Sequence, residues 1–194
     1  MTMPYDQQDE MPDDALLVLY ANGDGAAARS LTLRLTPRAF AQAFRMLGDR
    51  AEAEDVAQEA MIRLFKQAPD WRQGEAKVTT WLYRVVANLC TDRLRKTRGV
   101  ALDAVPEPED DAKSAAQQMQ DQARNDALQA ALNSLPERQR LAVVLRHIEG
   151  LGNPEIAEIM EISVEAVESL TSRGKRALAK ALAGQREALG YTDG

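Results

Sequence analysis

The sequence predicts an all-α protein of two small helical domains joined by a flexible acidic linker. The 194-residue chain is rich in Ala, Leu, Glu, Arg and Gln, and only 5% of its residues are aromatic, a composition that favours helices. No stretch of useful length alternates apolar and polar residues as a half-buried strand does. Between two segments with helical periodicity, Pro106, Pro108 and four neighbouring carboxylates interrupt the apolar pattern.

The charge distribution marks the same boundaries. The net charge is −6, and residues 100–122 hold 6 acidic side chains against 1 basic side chain, so most of the excess lies in this self-repelling spacer. We expect a disordered N-terminal tail, a first helical domain, the acidic linker, a second helical domain and a C-terminal tail at residues 1–12, 13–99, 100–122, 123–184 and 185–194.

The first domain should contain several helices. Segment 13–35 is interrupted at Gly23, Asp24 and Gly25, and a further helix follows from Pro37 to a stop at Gly48. The next helix, within residues 51–71, has one apolar face and a polar remainder. The members of the apolar face are Val56, Ala60, Met61, Leu64 and Phe65.

A second amphipathic stretch, residues 77–99, completes the first domain. Thr79 or Thr80 can cap its N-terminus, and Cys90 is expected to be a small core residue rather than a reactive thiol. The apolar stripe consists of Trp81, Leu82, Val85, Val86, Leu89 and Leu94. The helix ends in the basic run Arg93, Arg95, Lys96 and Arg98.

The second domain is expected to begin with a helix and to continue into a helix-turn-helix. Ser134 and Pro136 mark the start of the first helix, and Gly150 or Gly152 its end. The apolar face of that helix should comprise Leu141, Val144, Leu145 and Ile148.

Residues 153–176 have the pattern of a helix-turn-helix. Asn153 is expected to cap the first helix and Ser163 the second. Glu161 stands in the turn, where glycine is common, and implies a modest backbone cost or a slightly different turn. Ala157 is expected where the two helices approach most closely. The apolar contacts between them should come from Ile156, Met160, Ile162, Val164 and Val167.

This unit is unusually acidic for one that binds a polyanion. Five carboxylates precede its first cation, Arg173: Glu155, Glu158, Glu161, Glu165 and Glu168. Acidic side chains in a first helical turn stabilise the helix by roughly 0.3–1 kcal/mol, which explains Glu155 and Glu165. A plain helical hairpin with acidic solvent faces is therefore the alternative to a unit that docks on DNA.

The composition argues against an enzyme, a metalloprotein and a membrane protein. Cys90 is the only cysteine and His147 the only histidine, which excludes thiolate clusters, His-rich metal sites and most nucleophilic triads. The sequence contains no phosphate-binding glycine loop, targeting segment or apolar stretch of transmembrane length. We therefore expect a cytoplasmic protein with neither catalysis nor a cofactor of its own.

Several segments, taken in order, resemble a bacterial RNA polymerase sigma factor. They are "GDRAEAEDVAQEAMIRLFKQ", "TTWLYRVVANLCTDRLRK", the acidic linker, "LPERQRLAVVLRHIEGLGNPEIAEIM" and "ISVEAVESLTSRGKRAL". Because no further domain separates the two modules, the resemblance is to the extracytoplasmic-function group of the sigma-70 family. It implies a helical bundle of sigma region 2, followed by a helix-turn-helix domain of sigma region 4.

The resemblance implies a polymerase-binding surface. The helix "EDVAQEAMIRLF" resembles the region 2.2 surface that docks on the clamp helices of the beta-prime subunit of core RNA polymerase. The implied core contacts are Asp55, Gln58, Glu59 and Arg63. An ordinary solvated helix face is the alternative. For region 4, the beta flap of the polymerase is the implied partner.

The helix at 79–96 resembles regions 2.3 and 2.4, which open the duplex and hold the minus-ten element. Melted DNA needs cations along its backbone and polar or stacking groups for unpaired bases. The implied contacts are Trp81, Arg84, Asn88, Arg93, Arg95 and Lys96. Trp81 also has the spacing of a core residue, and Asn88 matches a position that can contact an extruded base.

The helix-turn-helix resembles the part of region 4 that enters the major groove at the minus-thirty-five element. The implied contacts are Ser163, Glu168, Ser169, Ser172, Arg173, Lys175 and Arg176. Arg173 is the expected base contact, since a bidentate pair with guanine is worth about 1–3 kcal/mol of discrimination. Glu168 and Leu170 depart from the Arg or Lys that is frequent in the family.

The function implied is that of a promoter-specificity subunit. It would bind core RNA polymerase and promoter DNA as a monomer, and a cognate anti-sigma factor would hold it inactive until a stress signal arrives. The alternative is a stand-alone transcription regulator with a helical sensor domain and a helix-turn-helix, which binds an operator without polymerase. A mobility-shift assay separates the two, because tight specific binding by the isolated protein favours the regulator.

Overall fold

The computed structural model describes residues 11–99 and 115–183. These ranges contain helices and no β-strand, which confirms the all-α class. We number the α-helices of these ranges α1 to α8: Asp13–Ala21, Gly25–Leu47, Arg50–Gln67, Val78–Gly99, Ala115–Asn133, Glu137–Val143, Asn153–Met160 and Val164–Ala183. A 3₁₀ turn, Ala68–Asp70, follows α3, and a π-helical turn, Val144–Ile148, follows α6. None of the helices in these ranges has the length and apolar character needed to span a bilayer.

Helices α1–α4 surround one apolar core. The predicted inward faces of α3 and α4 contribute buried side chains to it, namely Val56, Ala60, Met61, Leu64, Leu82, Val86 and Leu89. Phe65, Trp81, Val85 and Leu94 pack against the same cluster with part of their surface exposed. Cys90 is fully buried, and this burial raises the pKa of its thiol to about 12. The prediction of a core cysteine is confirmed.

Helix α2 runs unbroken through Pro37, so the predicted start of a new helix there is wrong. Pro37 lacks the N–H that would donate to the carbonyl of Leu33. Leu33 lies on the outer face with 56% of its surface exposed, where water can satisfy that carbonyl. Asp24 caps the start of α2 by accepting from the N–H of Ala26 at 2.9 Å, and Gly48 ends the helix at φ 72°, as predicted.

Helix α4 begins before both of the threonines that were predicted to cap it. The carbonyl of Lys77 accepts a hydrogen bond from the N–H of Trp81 at 3.1 Å, and Val78 is already helical. Thr79 and Thr80 therefore lie in the first turn, where Thr80 is buried, and neither is the N-cap.

The predicted acidic linker lies only partly within the described residues. Residues 100–114 are outside them, whereas residues 115–122, predicted as linker, form the first two turns of α5. Ala, Gln and Met dominate these eight positions, and their helix propensity continues α5 toward its N-terminus without a wide apolar face. The predicted C-terminal tail and residues 1–10 of the N-terminal tail also lie outside the described residues.

Helix α6 begins directly after Pro136, without a side-chain cap. Ser134, predicted to mark this start, instead donates from its hydroxyl to the carbonyl of Ala131 at 2.7 Å, so it closes the end of α5. Arg140 of α6 is buried and donates to the carbonyl of Met46 in the last turn of α2. A cation at a helix C-terminus is favourable, and this contact ties the second domain to the first.

A π-helical turn changes the predicted apolar face of the segment after α6. Val144 and Leu145 are buried as predicted, yet Ile148 is 40% exposed. The N–H of Glu149 donates to the carbonyl of Val144 at 3.0 Å, five residues back. This wider turn rotates Ile148 away from the core. Gly150, at φ 72°, ends the segment.

Helices α7 and α8 form the predicted helix-turn-helix. Ser163 caps α8 by accepting from the N–H of Ala166 at 3.2 Å, as predicted. Asn153 does not cap α7, because it is the first helical residue and Gly152 occupies the N-cap. The N–H of Gly152 donates to Glu155 Oε2 at 3.1 Å, so the Glu155 carboxylate satisfies main chain at this helix start.

The turn of this unit holds a non-glycine residue in the left-handed region. Glu161 has φ 53° and ψ 49°, so this residue adopts the conformation that glycine usually provides in such a turn, and the first of the two expectations applies. Val164, predicted as an apolar contact, is 37% exposed, since it stands at the first position of α8 before the helices cross. Ile159 of α7 is buried instead.

The buried apolar side chains of the second domain belong to two clusters. Its own small core consists of Leu132, Leu135, Val143 and Val144. A second group is continuous with the core of α1–α4 and comprises Leu141, Leu145, Ile156, Ile159 and Val167. The helix-turn-helix is therefore packed partly on the first domain.

Candidate nucleic-acid interface

The outer face of α3 carries the side chains predicted to bind polymerase. Asp55, Gln58 and Arg63 are exposed, and Arg63 pairs with the half-exposed Glu59 at 2.6 Å, one turn away. Ile62 lies on the same face with 53% of its surface exposed. A single exposed apolar side chain is common on protein surfaces, so Ile62 adds an apolar group to this charged face without by itself marking an interface. The sequence interpretation missed Ile62, although its spacing from Gln58 could have identified it.

Arg93 of α4 is surrounded by carboxylates from α3. Its guanidinium pairs with Glu52 and lies 3.9 Å from a carboxylate oxygen of Glu59 and 4.0 Å from one of Asp55. Only 25% of the Arg93 side chain is exposed. Carboxylates of α3, the helix predicted to bind polymerase, thus compensate the positive charge of Arg93, which was predicted to contact DNA.

Other predicted minus-ten residues occupy different positions on α4. Asn88, Arg95 and Lys96 are exposed. Trp81 is partly buried and lies edge-on to Trp71, with ring centroids 6.3 Å apart and an interplanar angle of 88°. This is a favourable packing geometry for aromatic rings, so Trp81 takes part in the core in the described structure.

Arg84 of α4 faces α7 of the helix-turn-helix. Its Nη2 donates to the carbonyl of Glu158 at 2.9 Å and lies 3.7 Å from the Glu158 carboxylate. Directly before α4, Lys77 Nζ pairs with Glu155 Oε1 at 2.6 Å. Two of the carboxylates that made the helix-turn-helix look unsuited to DNA therefore lie against basic residues of α4 or directly before it.

These contacts shift pKa values in consistent directions. The hydrogen bond from Lys77, assisted by the N–H of Gly152, holds the pKa of Glu155 below its ordinary value, and the same pairing raises the pKa of Lys77. Tyr83 donates from its hydroxyl to Glu149 Oε2 at 2.6 Å. Burial, followed by this hydrogen bond, raises the pKa of Tyr83. The Lys77–Glu155 pair is consequently charged on both sides throughout the neutral range.

All the predicted minus-thirty-five residues, on α8 and at its N-cap, are exposed: Ser163, Glu168, Ser169, Ser172, Arg173, Lys175 and Arg176. The guanidinium of Arg173 donates to Ser169 Oγ at 2.6 Å, which holds it along the helix surface. Glu168 accepts a long hydrogen bond from Asn153 Nδ2 at 3.4 Å. Gly174 fixes the orientation of α8, because an added Cβ there would lie 2.5 Å from Val143 Cγ2 on α6.

The two helices offer ionic and hydrogen-bonding groups suited to a polyanion. Cations spaced along one helix face match the backbone of a nucleic acid, and exposed Asn, Ser and Arg side chains match base edges. Within residues 11–99 and 115–183, no group of three or more His, Cys, Asp and Glu side chains is placed to hold a metal ion. The exposed cations and hydrogen-bonding side chains of α4 and α8 favour recognition of nucleic acid.

Comparison with known families gives two matches in the order of the two domains. The family model described as Sigma-70 region 2 matches residues 31–100. The family model described as Sigma-70, region 4 matches residues 125–178. Residues of α4 and α8 that were predicted to contact DNA lie within these two matches.

Two similar proteins match most of this chain. The ECF RNA polymerase sigma factor SigE of Mycolicibacterium smegmatis is 35% identical over 173 residues, a match that covers 86% of this chain and 66% of the relative. The ECF RNA polymerase sigma factor SigW of Bacillus subtilis is 35% identical over 150 residues, covering 72% of this chain and 80% of the relative.

Solved structures resemble the fold. CnrH in complex with the cytosolic domain of CnrY aligns with a TM-score of 0.66 at 26% identity, covering 89% of this chain and 97% of CnrH. The sigma factor RpoE in complex with the anti-sigma factor NepR from Bartonella quintana aligns with a TM-score of 0.64 at 22% identity, covering 79% and 95% of the two chains. At that identity the second likeness supports the fold alone.

Proposed function

The chain belongs to the extracytoplasmic-function sigma factors of the sigma-70 family, and on this premise we propose how its surfaces divide the work of promoter recognition. It is a promoter-recognising initiation factor that binds core RNA polymerase and is controlled by an anti-sigma factor. We place its action in the cytoplasm and assign the chemistry of RNA synthesis to the polymerase. One observation supports this division of promoter recognition between the domains: each domain has one helix with exposed cations, α4 in the first and α8 in the second.

Helix α8 enters the major groove at the minus-thirty-five element. Arg173 makes the base contact, because its exposed guanidinium matches the O6 and N7 acceptors of guanine. Lys175 and Arg176 contact phosphates and set the register of the helix. Glu168 accepts from the N4 amino group of cytosine, a major-groove donor that suits a carboxylate.

Helix α4 holds the melted minus-ten element. Asn88 is exposed near the middle of the helix, where its amide can bond the edge of an extruded base. Arg95 and Lys96 are exposed in the last turns and follow the backbone of the single strand. Arg84 and Arg93 join this track after their carboxylate partners are exchanged for phosphate.

The outer face of α3 binds the clamp helices of the beta-prime subunit. Its polar members Asp55, Gln58 and Glu59 provide specificity at the rim, and the exposed Ile62 provides an apolar anchor. Arg93 of α4 lies among carboxylates of α3. The side chains proposed to bind polymerase and those proposed to bind the minus-ten element are therefore neighbours.

Transcription in vitro tests this function. The chain, mixed with core polymerase and a library of genomic promoter fragments, is expected to direct initiation at fragments that share two sequence elements. The isolated chain is expected to bind the same duplexes far more weakly. A folded, core-bound protein that starts transcription at no defined sequence would overturn the proposal, as would tight operator binding without polymerase.

The polymerase surface has a test with a matched control. Ile62→Asp is expected to lower the affinity for core polymerase at least tenfold, because it places a charge at the centre of an interface. Glu54→Ala is the control, since Glu54 is an exposed residue of α3 that pairs with Arg50. Equal core affinity of the two variants, measured by fluorescence anisotropy, would remove α3 from the interface.

A further inference from the structure

Asn153 stands at the start of α7, yet its side chain does not cap that helix. Gly152 occupies the N-cap, and its N–H donates to Glu155 Oε2 at 3.1 Å. The amide of Asn153 is directed to α8 instead, where its Nδ2 donates to Glu168 Oε1 at 3.4 Å. The side chain of Asn153 is therefore available for a role outside the main-chain hydrogen bonding of α7.

The start of α7 is held at a fixed place relative to α8. Arg146 Nη1 donates at 2.8 Å to the carbonyl two residues before Asn153. On the inner side, Ile156 of α7 and Val167 of α8 are fully buried in one apolar cluster. Because Val167 directly precedes Glu168, this packing sets where Glu168 leaves α8. The amide of Asn153 and the carboxylate of Glu168 thus meet on two backbones that are already fixed.

Glu168 and Arg173 stand on opposite flanks of the exposed face of α8. Val167 and Gly174 are the buried positions of this helix, and successive residues of an α-helix are about 100° apart. Glu168 follows one buried position and Arg173 precedes the other, so the two side chains leave the helix on opposite sides. They are also about 7.5 Å apart along the helix axis, more than the ~3.4 Å rise of one base pair. In a major groove they therefore meet different base pairs.

The two side chains are held by different parts of the helix-turn-helix. The guanidinium of Arg173 donates to Ser169 Oγ at 2.6 Å, within α8 itself. Glu168 is held from α7, through Asn153. A free glutamate side chain has several rotamers, and it loses that freedom when it binds. A restraint that already acts in the free protein lowers this cost and selects the base that the carboxylate meets.

We propose that Asn153 is a positioning residue of minus-thirty-five recognition, which holds the carboxylate of Glu168 against the N4 amino group of cytosine. This inference rests on the proposed function and names what the same site reads: a cytosine at Glu168 and a guanine at Arg173, in different base pairs. Phosphates repel a carboxylate, so its exact placement decides whether Glu168 helps or opposes binding. Asn153 supplies that placement through Oε1 and leaves Oε2 for the base.

Holoenzyme selection from duplexes randomised over the minus-thirty-five element tests Asn153. The wild type is expected to enrich cytosine about fivefold or more at one position. Asn153→Ala should reduce that enrichment to about twofold or less, and it should leave the guanine preference of Arg173 and the thermal unfolding midpoint near the wild-type values. Asn125→Ala, the same substitution at an exposed site of α5, is the control and should select as the wild type does.

Two further variants separate positioning from a purely structural role. Asn153→Gln keeps an amide donor and should retain a stronger cytosine preference than Asn153→Ala does. Glu168→Gln keeps an acceptor for Asn153 and gains an amide that matches N6 and N7 of adenine, so adenine should replace cytosine at the same position. This new preference should disappear when Asn153→Ala is added, because the two side chains act as one unit.

Three results would overturn the inference and leave the proposed function intact. In the first, Asn153→Ala keeps the full cytosine preference. In the second, it weakens the binding of every duplex alike, which would make Asn153 a phosphate contact. In the third, Asn153→Gln and Asn153→Ala lose the preference equally.

The wild type supplies the remaining outcomes. A holoenzyme that enriches guanine but no cytosine would remove Glu168 from base recognition, and the role of Asn153 with it. A holoenzyme that selects no minus-thirty-five sequence and starts transcription at no defined site would instead overturn the proposed function.

Discussion

The two helices that we propose to bind DNA, α4 and α8, differ in what their cations contact. On α8, Arg173 donates to Ser169 and Arg176 to the carbonyl of Ser172, both within the helix. On α4, Arg84 contacts α7 and Arg93 lies among carboxylates of α3. For the proposed DNA binding, the cations of α8 are therefore available as they stand, whereas Arg84 and Arg93 of α4 must first exchange protein partners for phosphate.

The difference follows from where each helix sits in the fold. Helix α8 is at the edge, and Val167 and Gly174 are the residues it buries. Helix α4 is central and packs against α2, α3 and α7, so its basic side chains emerge beside the polar groups of its neighbours. Arg84 and Arg93 of the central helix thus acquire partners from neighbouring helices, while the cations of the edge helix remain exposed.

The largest effect is expected from a substitution that disturbs the packing of α8 on α6. Gly174→Ala should lower the free energy of unfolding by about 1–3 kcal/mol, the usual cost of overpacking. The added Cβ would lie 2.5 Å from Val143 Cγ2 and 3.1 Å from the carbonyl oxygen of Gln139. This clash outweighs the higher helix propensity of alanine. Denaturant unfolding measures the change, and minus-thirty-five binding by holoenzyme should fall with it.

Gly25→Ala is the matched control, because nothing lies within 4 Å of a Cβ added there. It should leave stability unchanged or slightly higher. If Gly174→Ala behaves like this control, α8 does not depend on close contact with α6.

A second test removes the proposed base contact from α8. Arg173→Ala should weaken holoenzyme binding to its own minus-thirty-five sequence by about 1–3 kcal/mol and relax the preference at one base pair. Lys180→Ala, an exposed cation farther along α8, should leave that preference unchanged. A selection from randomised minus-thirty-five duplexes measures both, and an unaltered preference in Arg173→Ala would assign base recognition elsewhere.

Helix α4 should show a smaller effect, in the salt dependence of its affinity for DNA. For the isolated protein on single-stranded DNA, Lys96→Ala should reduce the slope of log affinity against log salt by about 0.7, the loss of one phosphate contact. Arg93→Ala should leave that slope unchanged, because Glu52 and its neighbours already compensate Arg93. Equal slopes for the two variants would show that the carboxylates do not withhold Arg93 from DNA.

Local patterns predicted most of the fold. Periodicity identified the buried faces of α3 and α4, and Ser163 and Gly48 end or begin helices where the sequence placed them. The predictions were wrong where main-chain N–H and C=O groups find hydrogen-bond partners outside the regular α-helical pattern. Pro37 continues a helix because an exposed carbonyl can bind water, and a π-helical turn moves Ile148 out of the core.

The relation between the domains had no signal in the sequence. The contacts of Lys77 with Glu155 and of Arg84 with Glu158 join residues more than seventy positions apart, and each glutamate alone looks like a helix-start residue or a solvated one. The charge of a helix therefore predicts its affinity for a polyanion only when the partners of its cations are known. The assignment of individual side chains to DNA stays a prediction for the same reason.

The smallest expected effect comes from a substitution in the turn between α7 and α8. Glu161 joins α7 to α8 in the left-handed region, which costs a side-chain-bearing residue roughly 1–2 kcal/mol. Glu161→Gly should remove that cost but adds freedom to the unfolded chain, so a net gain of about 0.5–1 kcal/mol in thermal unfolding is expected. Glu161→Gln keeps the strain and should match the wild type. A loss of stability in the glycine variant would mean that the turn, and with it the angle between the two helices, depends on the Glu161 side chain.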